Sequence, residues 1–360
     1  MNFASDNNAG VAPAILEAIL ASSRVSAPAY GADQYSARAE ALLGEIFERK
    51  VAAYLVPTGT GANALALGAL ARPWEAIFCH EESHINEDEC GAPELFAAGA
   101  KLVGIPGLDG KITREALART LERYPRGLVK ASQPGVLSIS QATEAGTLYR
   151  VEEIAALASL AHEAGISVHM DGARFANAIV ASGATPAEMT WRAGVDALSF
   201  GATKNGALAC EAVVFFDPEM AASFAFQRKR GGHTLSKGRF LGAQMEAYLK
   251  DGLWLDLARR ANAAATSLAR GLLRASGVRR AWPTEVNEVF VVASAALVGA
   301  WREAGAKFYE WPTRSLSSEL APRSGEMLLR LVTSFETSQA EIEAMLTIAR
   351  GVAGSAVSPP

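Results

Sequence analysis

Two stretches decide the fold: His169-Met170-Asp171-Gly172-Ala173-Arg174 and, further on, Ser199-Phe200-Gly201-Ala202-Thr203-Lys204-Asn205. Each follows a short apolar run that reads as a buried strand, residues 166–170 before the Asp and 197–200 before the Lys. Both side chains then emerge at strand ends, where open α/β sheets place their ligands. Taken singly, an Asp-Gly after a strand is a common turn and a lone Lys a common surface group.

Taken together, the amine and the carboxylate suit pyridoxal phosphate (PLP). A lysine amine forms a Schiff base with the cofactor's aldehyde. A carboxylate keeps the pyridine nitrogen protonated, so that the ring accepts electrons from a carbanion.

Strand-like and helix-like segments alternate from about residue 34 to 250. Helical periodicity runs over 34–50, with Ala39, Leu42, Leu43 and Ile46 on one face. Extended segments are expected at 51–56, 76–79, 101–105, 127–131, 136–139, 166–170, 197–200 and 212–216, and helices at 61–70, 114–123, 151–164 and 174–182. Such alternation argues for an α/β fold with a largely parallel sheet covered on both faces. Beyond Asp251-Gly252 come a long helix at 254–274, strands at 289–292 and 328–332, and helices at 294–304 and 338–352. The expected division is a large α/β domain over 1–252, a smaller α+β domain over 253–354, and a frayed tail at 355–360.

The 360 residues suffice for a large core. A net charge of −4 points away from nucleic acid and from anionic membrane surfaces. Cys79, Cys90 and Cys210 are odd in number and widely spaced, with no CxxC, which favours a reducing compartment. The N-terminus has no basic region followed by an apolar one, and no apolar stretch reaches membrane-spanning length. The expected location is the cytoplasm.

Pro57-Thr58-Gly59-Thr60-Gly61-Ala62-Asn63 follows a strand and opens a helix, a place where backbone N–H groups suit a phosphate. It is neither a Walker loop nor G-x-G-x-x-G. His80-Glu81-Glu82-Ser83-His84 matches the H-E-x-x-H of zinc proteases. That chemistry needs both histidines on one helix face plus a third ligand, whereas His80 here ends a strand. A zinc hydrolase is therefore the remote alternative, and the other roles for these histidines are stacking on a pyridine ring or bonding to loop backbone. Arg330, inside the apolar run Leu328-Leu329-Arg330-Leu331-Val332, needs a buried anion, either a substrate carboxylate or a structural acid. The basic, glycine-rich stretch from Gln227 to Arg239 reads as a solvated charge run or as a loop approaching a cofactor phosphate.

These motifs together resemble the low-specificity L-threonine aldolases, PLP enzymes of the aspartate-aminotransferase (fold type I) superfamily. The matching segments are Ser5-Asp6-Asn7, Tyr30-Gly31, Pro57 to Asn63, Ser83-His84-Ile85, His169 to Arg174, Ser199 to Asn205 and Leu329 to Thr333. A narrower resemblance, to the bacterial branch with phenylserine aldolase, lies in His84-Ile85-Asn86, Asp88 to Glu94 and Ala187 to Trp191.

The resemblance implies a catalytic set of Lys204, His84 and Asp171. Lys204 would carry the cofactor, Asp171 pair with its ring nitrogen and His84 stack on its ring. Thr58, Gly59 and Thr60 would hold the phosphate. Arg174 would reach the cofactor's phenolic oxygen or the substrate carboxylate, which Ser5 and Arg330 would also bind. Tyr30 would be lent across the interface of a homo-oligomer, a dimer or tetramer. The implied reaction is cleavage of L-threonine, L-allo-threonine or a relative such as phenylserine to glycine and an aldehyde. The nearest alternative is β-elimination from an aromatic amino acid on the same scaffold. Many family members carry a second histidine ahead of the Asp strand, where this chain reads Ser140 to Gly146 without one. His84, Glu144 and an ordered water are then the candidates to take the β-hydroxyl proton.

Overall fold

The computed structural model describes residues 1–355, so the expected frayed tail beyond Ser355 lies outside the described residues. Seven strands build the larger sheet: β1 (Ala52–Val56), β2 (Glu75–His80), β3 (Lys101–Ile105), β4 (Gln133–Ser140), β5 (Ser167–Gly172), β6 (Ala197–Gly201) and β7 (Glu211–Phe215). Their order is β1-β7-β6-β5-β4-β2-β3. β7 runs antiparallel to both neighbours, and the other pairs are parallel.

Alternation along the strands explains why both faces are covered. β7 sends Ala212 and Val214 into one core and Val213 and Phe215 into the other. β2 likewise divides Ala76 and Phe78 from Ile77 and Cys79. The first face is covered by helices that contribute Leu43, Ile154, Leu157, Phe175 and Tyr248. The second is covered by the Gly59–Leu70 helix, whose Leu65 and Leu67 are fully buried.

A second sheet, antiparallel, joins β8 (Val278–Arg280), β9 (Glu288–Ser294), β10 (Tyr309–Glu310) and β11 (Glu326–Val332) in the order β10-β11-β9-β8. The Leu253–Leu272, Ala295–Glu303 and Gln339–Ser355 helices pack on it through Leu268, Trp301 and Met345. The chain's first residues belong to this assembly. Phe3 is buried in its core, donates its N–H to Lys307 O at 2.8 Å and accepts from Val332 N at 2.8 Å. That anchoring carries the next residue but two, Asp6, to the junction of the two sheets.

Two sequence expectations need correction, and some elements were not expected. Residues 127–131 are a turn rather than a strand: Val129 is 99% exposed, and Gln133 ties the segment through bonds to Gly127 N, Leu128 O and Ala131 O. Its apolar composition has no neighbouring strand to pair with. The helix expected over 34–50 ends at Ile46, because Glu48 takes φ 57° and Arg49 N bonds back to Gly44 O at 3.1 Å. The Pro13–Ser23 and Arg239–Leu249 helices and the short β8 and β10 are additional elements.

Inside the sheet, His169 on β5 lies 2.9 Å from Ser138 Oγ on β4 and 2.9 Å from Ser199 Oγ on β6. It bridges three strands just below the strand-end aspartate. Burial pushes its imidazole down from 6.5 to about 4, against the pull of Asp171. The unfolded chain therefore binds a proton there below 6.5 that the folded protein refuses until about 4, so this group's stabilisation is lost as pH falls through that window. Glu211, lifted by burial to about 7, acts in the opposite direction. A difference measurement isolates the histidine: the stability advantage of wild type over His169→Gln, from urea unfolding, shrinks by roughly 3 kcal/mol between pH 7 and pH 4. A constant difference would mean that His169 takes up its proton over the same pH range folded as unfolded, and that burial does not hold it neutral.

Candidate active site

A cavity of about 290 Å³ opens where β1, β4, β5 and β6 end. Its walls include Thr58, Gly59, Thr60, His84, Asp171, Arg174 and Lys204, seven of the residues singled out in the sequence. Register explains part of this convergence, since Asp171 on β5 pairs with Ser140 on β4 and with Ser199 on β6.

Lys204 sits in a one-turn 3-10 helix, Thr203–Asn205, directly after β6. Asn205 fixes the turn by donating to Tyr248 Oη and Trp254 O, both at 2.8 Å. Gly206 closes it with φ 108°, where a Cβ would also meet the Ala12 methyl at 3.1 Å.

Asp171 is buried and ionised. Its Oδ2 accepts from Asn63 Nδ2 at 2.8 Å and its Oδ1 from Ala173 N at 3.0 Å. Burial alone would raise its pKa; the charge on His84, the Ala173 N–H and the Lys204 ammonium outweigh that and hold it below the usual carboxylate range. Asn63 Nδ2 also donates to Glu89 Oε1 at 2.8 Å, so a single amide joins two buried carboxylates. His84 Nδ1 lies 2.8 Å from the same Glu89 oxygen. The bond to Glu89 raises the His84 pKa, and burial raises that of Glu89. One proton serves the pair, and it resides on the imidazole, because Glu89 Oε1 accepts two hydrogen bonds that favour the carboxylate.

The Gly59–Leu70 helix points its N-terminus at the cavity, capped by Thr58 Oγ1, which accepts from Gly61 N at 3.0 Å. A Cβ at Gly59 would meet nothing within 4 Å, so open space lies above that helix end. Gly61 has no such freedom: the His233 ring occupies the place of a Cβ. The basic, glycine-rich loop thus does approach the phosphate-type turn, through His233 of the same chain.

Arg174 is held by Asp6, with Nε–Oδ2 at 2.8 Å and Nη2–Oδ1 at 3.0 Å, and its Nη2 is 3.4 Å from Glu288. Asn287 Nδ2 also donates to Asp6 Oδ2 at 3.0 Å. Arg330 is not on the cavity wall. It stacks 4.1 Å from the Trp311 ring and 5.6 Å from Tyr309, donates to Ala4 O at 3.5 Å, and keeps a buried Nε without a partner. Ser5 is also outside, its Oγ accepting from Asn7 N at 3.1 Å, while Asn7 itself lines the cavity. Tyr30 is 55% exposed, with the Lys229 ammonium 4.6 Å from its ring centroid, and does not reach the cavity of its own chain.

His80 bonds through Nε2 to Gly107 O at 3.0 Å and through Nδ1 to Glu82 N at 3.2 Å. Both ring nitrogens therefore serve loop backbone. Among the described residues no three His, Cys, Asp or Glu side chains converge as a metal ligand set.

Sequence reasoning did not assign Asn63, Glu89, Glu211 or Glu288. For the two last, a signal existed: each is an acid at the head of an apolar strand, in Cys210-Glu211-Ala212-Val213-Val214 and Asn287-Glu288-Val289-Phe290-Val291. The role of Asn63 as a shared donor has no such sign.

The residues present fit PLP. A lysine, an ionised buried aspartate, an imidazole and an open helix N-terminus share one cavity, and the lining residues Asn63 and Glu89 keep buried oxygens without a partner. Removing the shared donor tests the arrangement: Asn63→Leu, close in shape, costs about 2 kcal/mol of stability by orphaning Asp171 Oδ2 and leaving Glu89 Oε1 with His84 alone. Calorimetry reads this directly, and an unchanged unfolding temperature would show that the amide is dispensable.

Comparison with known proteins agrees with this geometry. The family described as Beta-eliminating lyase matches residues 2–296. The chain is 38% identical to the low specificity L-threonine aldolase of a Pseudomonas species, over 97% of each chain. It is 40% identical to the protein of that name from Pseudomonas aeruginosa, over 85% of this chain and 88% of that one. The solved structure of Leishmania major threonine aldolase superposes with a TM-score of 0.89 at 28% identity, over 98% of this chain and 99% of the other. The α/β fold type I architecture expected from the sequence is the one found.

Proposed function

The chain belongs to the Beta-eliminating lyase family, and we propose that it is a PLP-dependent aldolase. It cleaves L-threonine, L-allo-threonine and related β-hydroxy-α-amino acids such as phenylserine between Cα and Cβ, giving glycine and an aldehyde. The observation that carries this reading is the shared cavity of Lys204 and an ionised Asp171, in a chain similar over nearly its whole length to proteins named for that activity.

When bound, PLP supplies an electron sink for the pair released as the Cα–Cβ bond breaks. Each protein group then has a defined task. Lys204 would hold the cofactor through its amine. Asp171 keeps a proton on the ring nitrogen. The N-terminus at Gly59 and Thr60, with Thr58, receives the phosphate. His84, oriented by Glu89, lies against the ring. Arg174 on the cavity wall, with Arg330 and Ser5 assigned to the same task from outside it, would orient the substrate carboxylate and so select which bond at Cα breaks.

The proton on the β-hydroxyl needs an acceptor. His84 is engaged with Glu89 through Nδ1, and the Glu144 carboxylate stands on the cavity wall in the segment that lacks the second histidine, so Glu144 is the acceptor we assign. The exposed ring of Tyr30, with exposed Leu95, Leu208 and Phe226, supports a homo-oligomer in which Tyr30 completes a neighbour's site. Three cysteines without a disulfide support a cytoplasmic location. Among the described residues no helix is long and apolar enough to cross a membrane.

Purified, PLP-loaded protein given L-threonine, L-allo-threonine and L-phenylserine releases aldehyde and glycine in equal amounts, and Lys204→Ala abolishes this turnover. Ammonia and a keto acid in their place would establish the β-eliminating alternative. Glu144→Gln lowers kcat about a hundredfold with little change in KM. An unchanged kcat would return the proton to His84 or to water.

A further inference from the structure

Glu211 is the buried acid of the cavity that the proposed reaction leaves without a task. It opens β7, and its register is unusual in pairing with both cofactor-side loops at once: Val56 of β1 lies on one side and Gly201 of β6 on the other. Two residues past Val56 the helix cap Thr58 begins the phosphate-type turn, and three residues past Gly201 stands Lys204. The Glu211 carboxylate accepts from Ala202 N at 2.7 Å, in the turn that presents the lysine. It is 7% exposed and lies on the wall shared with Thr203 and Lys204.

No arginine or lysine forms an ion pair with it within 4.0 Å among the described residues. The charged or titratable groups that face it are Lys204 from the turn, Cys210 beside it in sequence, and Tyr248 from the Arg239–Leu249 helix. Cys210 and Tyr248 are both raised by burial and stay neutral, so Lys204 is the one cation among them. Lys204 is in turn faced by Asp6, Asp171, His84 and Glu211. Of the three acids, Asp6 is committed to Arg174 and Asn287, and Asp171 to Asn63 and Ala173. Glu211 alone bonds to the lysine's own turn.

We infer that Glu211 is a positioning residue for Lys204: it ties the lysine turn to the start of β7 and supplies a counter-charge on the cavity wall that it shares with the lysine. The inference rests on Lys204 being the cofactor lysine. An acid in this place has two effects. Its hydrogen bond fixes the turn, and its negative charge favours the protonated form of the nitrogen joined to the cofactor. Burial lifts the Glu211 carboxyl to about 7, against the pull of Lys204.

The test is a pH titration of the visible absorption band of the PLP-loaded protein, with Lys204→Ala as the reference that lacks the lysine-linked band. Glu211→Gln keeps the acceptor for Ala202 N but removes the charge, and the midpoint of the titration moves down by about one unit. Glu211→Ala shifts it the same way, so either variant decides if the other does not fold. Glu211→Asp, which keeps the charge, restores most of the wild-type midpoint. In steady state the Gln variant loses kcat at neutral pH with little change in KM. A midpoint unmoved in Gln and Ala, or moved equally in Asp, would overturn the inference. A wild-type band insensitive to Lys204→Ala would instead overturn the identity of the lysine, and the role of Glu211 with it.

Discussion

The site depends on keeping one buried carboxylate charged. Moving an ionised carboxylate out of water costs several kcal/mol unless it is paired and hydrogen-bonded. Asp171 meets that cost with groups from four separate segments. Asn63 comes from the helix after β1, Ala173 N from the turn after β5, His84 from the loop after β2, and Lys204 from the turn after β6. These segments are far apart in sequence, and the shared charge is a reason for them to occupy one place. Asn63 extends the network to Glu89, so the aspartate and the imidazole are fixed by the same amide.

Topology makes the arrangement possible. β1 and β6 are both antiparallel to β7, hence parallel to each other, and their following loops leave the sheet on the same side. The one reversed strand therefore begins where the two cofactor-side loops end, which is why an acid at its first residue touches the chemistry. An acid at the far end of β7 would be a buried liability with no cation to face. The same reasoning applies to Glu288 at the start of β9. It is fully buried, 3.4 Å from Arg174, and opposite Val332 in the smaller sheet.

The sequence was most legible where composition and function coincide. Asp171 and Lys204 stand out because each breaks an apolar strand at its end, and the Thr58 to Asn63 turn because small residues there mark a helix start. Arg330 was legible as a buried cation in need of an anion, but not its setting: its partners are two aromatic faces and the acid Glu288, all brought by pairing in the second sheet. Residues 127–131 show the converse. An apolar run reads as a strand by composition, yet strand structure requires a neighbour to pair with. Long-range contacts such as Asn63 with Glu89 leave no periodic trace, and only the folded register reveals them.

The two sheets divide the electrostatic work. The cavity wall carries Glu89, Glu144, Asp171 and Glu211 against Lys204, Arg174 and a His84 whose pKa the bond to Glu89 raises. Arg174 is the member that reaches the second sheet, through Asp6 and Glu288. A guanidinium left bare in that setting would be costly, and the acids neutralise it before any substrate arrives. On the function proposed above, an incoming carboxylate would meet a cation whose orientation a bidentate partner already sets. Binding would then be an exchange of partners around a fixed guanidinium rather than the burial of a new isolated charge. This favours an anion delivered in one direction, from the cavity side, over one that merely carries the right charge. The N-terminal segment sets that arrangement, since Phe3 is packed in the smaller core three residues before Asp6, which pairs with Arg174.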